Sequence, residues 1–208
     1  MGEWLNLANK HYGGCGKFDI PQIKPIYDKI EIDDWKSFTE ALLIKPSKKI
    51  GVNFYSYDNF FERLWNFPNK YLKVLKKFGC VISPDFSIYR DFPKAIQIYN
   101  HYRNHWMGRY FQDYGIKVIP NVGWSDESSY DWCFDGNPKN SIVAVSNIGC
   151  MKEKEAKRLF KQGYNEMLKR LEPRLILIFG ESVEDYDGNF IHIKTQCNSR
   201  SIDDNRTV

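Results

Sequence analysis

The chain has 208 residues, 42% of them hydrophobic and 27% charged, which is the make-up of a folded globular protein and excludes a disordered or low-complexity one. That length suits one well-buried domain and is short for two. Thirty basic against 26 acidic residues leave a formal net charge of +4, too balanced to imply nucleic-acid binding by itself.

Read from the amino end, residues 1–5 lack the basic region and apolar core of a signal peptide. No apolar run approaches the roughly 18 residues that a membrane span needs. Five cysteines without a CxxC pair fit a reducing compartment, so the expected location is cytoplasmic with no membrane contact. Residues 1–32 read as an irregular arm, 33–197 as a single α/β domain and 198–208 as a flexible polar tail. Within the arm, Gly13, Gly14 and Gly16 form a glycine-rich turn, but it follows no strand and opens no helix as a phosphate loop would. Residues 20–26 alternate with prolines and suit an edge strand or extended arm.

Asp33 and Asp34 predict a helix start running to about residue 44, and residues 51–57 read as a strand. Asp58 can cap a helix carrying Phe61, Leu64 and Trp65, which Pro68 kinks or splits before residue 78. Residues 80–85 form the next strand. Asp91 and Pro93 then open the longest helix, with Ile96, Tyr99, Arg103, Trp106, Tyr110 and Tyr114 as its inward stripe and Gly115 closing it. Residues 117–121 are a strand, 126–134 a short helix and 135–138 a turn. A strand at 142–147, a helix at 152–171 ended by Pro173, a strand at 175–181 and a last strand at 190–194 complete the order.

Continuous apolar strands alternating with helices predict a mostly parallel sheet of five or six strands flanked by helices. The architecture is an open sheet or an incomplete barrel, because a complete eight-fold barrel takes about 250 residues. Ligands in such folds sit at the carboxyl ends of the strands, where this chain places Asp85, Asn121, Ser146 and Glu181.

The loop after the third strand packs Ser83, Asp85, Ser87 and Tyr89 together, and a carboxylate there can act as base, hold a metal or orient a hydroxyl. The competing reading is a turn in which Asp85 and Ser87 bond only their own backbone. His101 and His105 share a helical face, but without a third ligand a structural role is favoured over a metal site. Arg103 on the apolar stripe needs a partner, and Asp85 or Asp58 would supply one. Trp124, after Asn121, is either a stacking platform or a cap on the core. Ser146 precedes a helix start whose amides can receive an anion, and Cys150 is a weak candidate nucleophile with no histidine nearby in sequence. His11 with Cys15, and His192 with Cys197, fit no standard zinc spacing; GxSxG and GxxxxGK[ST] are absent.

The same residues carry a resemblance. Gly51-Val52-Asn53-Phe54 with Asp58 and Phe61, the run from Ser83 to Tyr89 with Asp91 and Pro93, Asn100 with Tyr102 and Arg103, Gly115 to Pro120 with Trp124, Val143 to Ser146, and Gly163-Tyr164 with Pro173 and Gly180 occur in order. Together they make the chain similar to a domain-of-unknown-function family found in phages and mobile elements of Gram-positive bacteria. The resemblance covers roughly residues 16–181 and implies a mobile-element origin and a shared strand-end site, with no established activity. Where that family usually has a histidine before the aromatic pair of the first strand, this chain has Asn53.

Two function classes stand open from these residues. In one, the chain handles nucleotides or nucleic acid, with Asp58 and Asp85 as base or as ligands for Mg²⁺ or Mn²⁺, and Arg103, Trp124 and Tyr89 contacting phosphate and base. In the other it is a non-catalytic module capturing a host protein or a signalling nucleotide.

Overall fold

The computed structural model describes residues 10–183 and 185–194, so the expected tail at 198–208, and Cys197, lie outside the described residues. In the arm, β1 (Gly14–Cys15) and β2 (Ile20–Pro21) pair antiparallel across a tight turn. A Cβ at Gly14 would overlap the Asp19 backbone, so the turn itself takes the space that Gly14 leaves. Ile20, Ile23 and Ile26 bury the arm against the domain.

Four parallel strands follow: β3 (Asp34–Ser37), β4 (Ile50–Asn53), β5 (Cys80–Ile82) and β6 (Val118–Ile119). Three more form a second parallel sheet: β7 (Ile142–Ser146), β8 (Leu175–Phe179) and β9 (Phe190–Ile193). The expected five or six strands in one sheet are therefore corrected to four and three in two. The junction explains the division. Pro120 follows β6 and has no amide to donate, so pairing with β7 shrinks to a single bridge between Asn121 and Ala144.

The helix expected from residue 33 is also corrected. Asp34–Ser37 is a strand, and α1 (Phe38–Ala41) starts only after Ser37, whose side chain and Glu40 cap each other's backbone amides. Pro68 does split the next helical stretch, ending α2 (Glu62–Asn66) and standing first in α3 (Pro68–Leu75). The long helix α4 (Lys94–Asp113) starts after Pro93 without a side-chain cap, and Gly115 with φ of 76° terminates it as expected. α5 (Lys154–Leu171) ends at Glu172, whose φ of 48° turns the chain into Pro173.

Side chains alternate across each strand, and the core follows that alternation. Cys80, Ile82, Ile119, Ile142, Ala144, Leu177 and Phe179 face one shared apolar interior with Trp35. Their neighbours Val52, Val81 and Val118 face α1 to α4, while Val143, Val145, Ile176 and Ile178 face α5. Phe179 of β8 meets the ring of Trp35 in β3 at 5.1 Å and that of Tyr55 at 4.7 Å, so the two sheets curl toward each other.

Candidate functional site

Because the strands are parallel, the loops leaving them gather at one end. The loop at residues 83–89 is held there by α4. Asn104 donates from Nδ2 to the Phe86 carbonyl at 3.1 Å and accepts the Phe86 amide at 2.7 Å; Asn100, one turn earlier on the same face, donates to the Ser87 carbonyl at 2.6 Å. The Asn121 amide donates to Ser83 Oγ at 2.8 Å, tying the end of β5 to the end of β6. Buried backbone that would otherwise lack partners is thereby satisfied, and the side chains of the loop are fixed.

Asp85 Oδ1 accepts from Asn121 Nδ2 at 2.7 Å, and Asn121 Oδ1 accepts from the Tyr55 hydroxyl at 2.9 Å. Enclosure by protein pushes the Asp85 carboxyl up to about 6; the Asn121 hydrogen bond holds it back and the Asp58 charge lifts it further. The Tyr55 hydroxyl is driven well above its ordinary value, first by burial and then by the Asp85 charge. Asp58 accepts the Ser87 amide at 3.1 Å and the Ser87 hydroxyl at 2.9 Å. Two carboxylates from different strand-end loops are thus brought to the two sides of one short segment. Tyr57 and Phe60, flanking Asp58, and Tyr89, two residues beyond Ser87, stand 71%, 42% and 56% exposed along the same rim.

Of the sequence-predicted residues, Asp58, Asp85, Ser83, Ser87 and Asn121 come together, and Tyr89 lies on the rim against Phe92. Arg103 is buried on α4 as the stripe required, but the expected contact with Asp85 is corrected. Its Nη1 donates to both carboxylate oxygens of Glu62 at 2.8 and 3.0 Å, its Nη2 donates to Asn100 Oδ1 at 2.7 Å, and the guanidinium lies 3.6 Å from the Phe86 ring centre. It braces the loop from behind. The stripe itself is turned: Ile96, Tyr99 and Tyr114 are exposed, whereas Gln97, Asn100, Asn104 and His105 are buried.

Trp124 packs on Phe160 at 5.2 Å and sits on Gly163, where any Cβ would overlap the indole; it caps the second outer core. Ser146 Oγ accepts the Ile148 amide at 3.3 Å and, among the described residues, makes no hydrogen bond to either carboxylate. Burial and the Asp85 charge push the Cys150 thiol up, opposite to what a nucleophile needs. His101 and His105 are buried with ring centres 4.2 Å apart and bond the carbonyls of Asp135 and His101. Among the described residues no group of three or more His, Cys, Asp or Glu side chains can hold a metal ion.

Sequence reasoning passed over three positioning residues. Asn104 shows as a polar residue on a helix face that periodicity assigns to the core; Tyr55 stands two residues past β4. Asn147 donates to the Glu181 carbonyl and accepts the Glu181 amide, each at 2.8 Å, and Gly180, with φ of 124°, leaves room for it.

Residues 12–196 match the family model described as Domain of unknown function (DUF4417). The chain is 39% identical over 181 residues to the Gene 1 protein of Mycobacterium phage L5, covering 80% of this chain and 79% of that protein. It is 37% identical over 191 residues to the Gene 1 protein of Mycobacterium phage D29, covering 91% of this chain and 70% of that protein. No solved structure matches it. With nearly its whole described length inside that model, the chain belongs to the DUF4417 family of domains of unknown function, and its relatives include phage proteins.

Proposed function

We propose that the chain handles nucleotides or single-stranded nucleic acid at the carboxyl ends of its strands. In this reading the two sheets form an incomplete barrel, and Asp85 is the proton acceptor at its mouth. The observation that carries the reading is the pairing of Asp85 and Asp58 across Ser87 beneath an exposed aromatic rim. A carboxyl titrating at about 6 is poised to take or give a proton near neutral pH. Asn121, locked by Tyr55, aims it. Tyr57, Phe60 and Tyr89 offer ring faces on which bases stack at about 1–3 kcal/mol each. Mg²⁺ or Mn²⁺ would be held by one or both carboxylates with substrate phosphates completing the shell, the usual manner of Mg²⁺ at phosphoryl sites. The enzyme activity and the location in the cytoplasm belong to the same proposal.

The test is calorimetric titration with the common mononucleotides and short labelled oligonucleotides, with and without Mg²⁺ or Mn²⁺, followed by analysis of products. Binding that is weakened at least about tenfold by Tyr89→Ala supports the reading. Products formed by the wild-type chain and lost in Asp85→Asn, with binding retained, assign the proton-transfer role. Absence of binding at low salt to every one of these ligands overturns it.

A further inference from the structure

The opposite end of the molecule carries a feature that the carboxyl-end site does not use. In a parallel array, whatever precedes each strand gathers at the amino end. Lys48 and Lys49 precede β4, Lys77 lies shortly before β5, and Lys117 immediately precedes β6; all four are exposed. Arg174, also exposed, stands directly before β8. Lys48 Nζ donates to the carbonyls of Lys76 at 2.6 Å and Phe78 at 3.0 Å, so the basic cluster at 45–49 is drawn against the one at 73–77. Between the starts of β4, β5 and β6 lies a cavity of about 290 Å³ lined by Lys29, Lys48, Lys49 and Lys117, against one carboxylate, Glu31.

Carbonyls at helix C-termini attract cations to this end of any such fold, and Lys48 is accounted for in that way. Lys49 and Lys117 pair with Glu31 and Asp28 at 3.4 and 3.2 Å in exposed ion pairs that phosphates can displace. Lys29, Lys45, Lys73 and Lys77 make no salt bridge among the described residues. A chain with a net charge of only +4 thus gathers four lysines around one cavity that a single carboxylate opposes. Tyr27, 63% exposed, is held beside the patch because Arg174 donates to its carbonyl and to that of Asp28.

We propose that the amino ends of the strands form a docking surface for the phosphodiester backbone of nucleic acid, separate from the carboxyl-end site and independent of Asp85. A concave basic cleft beside an exposed tyrosine fits a phosphate chain with a base to stack.

Fluorescence anisotropy of labelled single-stranded and duplex DNA with the full chain, over about 50–200 mM KCl, tests this. The expected result is a log–log salt slope of about −3 for single-stranded and about −4 for duplex DNA, as for four or five neutralised phosphates. Replacing Lys45, Lys49 and Lys77 together by Gln is expected to weaken binding at least about tenfold at the lowest salt and to flatten the slope by about 2 on single strands and about 3 on duplex. The charge-matched control, with Lys152, Lys154 and Lys157 replaced by Gln around the start of α5, stays within about twofold of the wild type. Circular dichroism melts verify that each variant folds. No binding by the wild-type chain at low salt, or an equal loss in the matched control, overturns the proposal. So does loss of binding to phosphatidylserine vesicles, rather than to DNA, in the patch variant.

Discussion

Asn121 donates to Asp85 at 2.7 Å while its own carbonyl oxygen is taken by Tyr55 at 2.9 Å, so the amide can face the carboxylate in only one way. The hydrogen bond favours the ionised form of Asp85 against the burial that opposes it. Replacing Asn121 by Leu removes that support. The Asp85 carboxyl is then expected to titrate above its present value of about 6, as read by ¹³C NMR of the side-chain carboxyl. The orphaned Tyr55 hydroxyl adds a stability loss of about 1–3 kcal/mol. An unchanged midpoint would show that the hydrogen bond does not tune the acid.

Arg103 is 9% exposed at its side chain, whereas its partner Glu62 is 41% exposed. Removing the carboxylate leaves a buried guanidinium held by Asn100 and the rings of Phe86, Tyr99 and Trp65. Glu62→Gln is expected to cost about 1–2 kcal/mol, discounted from the 3–5 kcal/mol of a fully buried pair. Arg103→Met should cost more than Lys77→Met, which lies on the surface and should stay within about 0.5 kcal/mol of the wild type. Urea unfolding of the three variants measures this, and equal effects of Arg103→Met and Lys77→Met would contradict the bracing role.

Asn104→Ala strands both the amide and the carbonyl of Phe86 inside the protein. A loss of about 2–4 kcal/mol is expected, since two buried backbone groups lose their partners. Because Phe86 sits between Asp85 and Ser87, ligand binding at the mouth should weaken in the same variant, compared at a temperature where both proteins are folded. A stability loss with unchanged binding would mean that the loop keeps its shape without α4.

Burial pushes His105 down to about 4, and His101 well below its ordinary value with the His105 charge adding to the effect. Both are depressed bases, so the native state binds fewer protons than the unfolded chain once the pH drops below about 6.5. Their contribution to stability is complete above about 6.5 and is lost as the pH falls through about 4. His105→Gln is therefore expected to flatten the acid limb of a plot of unfolding free energy against pH. An unaltered limb would place the acid sensitivity elsewhere.

Much of the site was legible in the sequence because it rests on local chemistry. Asp85, Ser83 and Ser87 follow an apolar strand directly, and parallel topology then sends them to the same end as Asn121. Asp58 joined them because its loop leaves the neighbouring strand β4. Partner choice was not legible. Arg103 met Glu62 because α4 carries a buried polar face of Asn100 and Asn104, which apolar periodicity cannot register. Trp124 was readable as platform or cap, and Gly163, far along the chain on α5, decided for the cap. The strand β3 was misread because an acidic pair marks a helix start statistically, whereas Ser37 and Glu40 made the actual cap.

The central claim is that Asp85 is kept for the site at a cost to the fold. A carboxyl raised to about 6 stabilises the native state fully below about 3.8 and loses that contribution as the pH rises through about 6. At pH 7.5 the ionised group therefore opposes folding, and Asp85→Asn, which can still accept from Asn121, removes the opposition. Urea unfolding of the wild type and Asp85→Asn at that pH is the most direct measurement. The expected result is a variant more stable by about 1–2 kcal/mol, reduced from the full shift because Asp85 retains contact with solvent. A variant less stable by a similar amount would contradict the claim and make Asp85 a structural residue of its own turn.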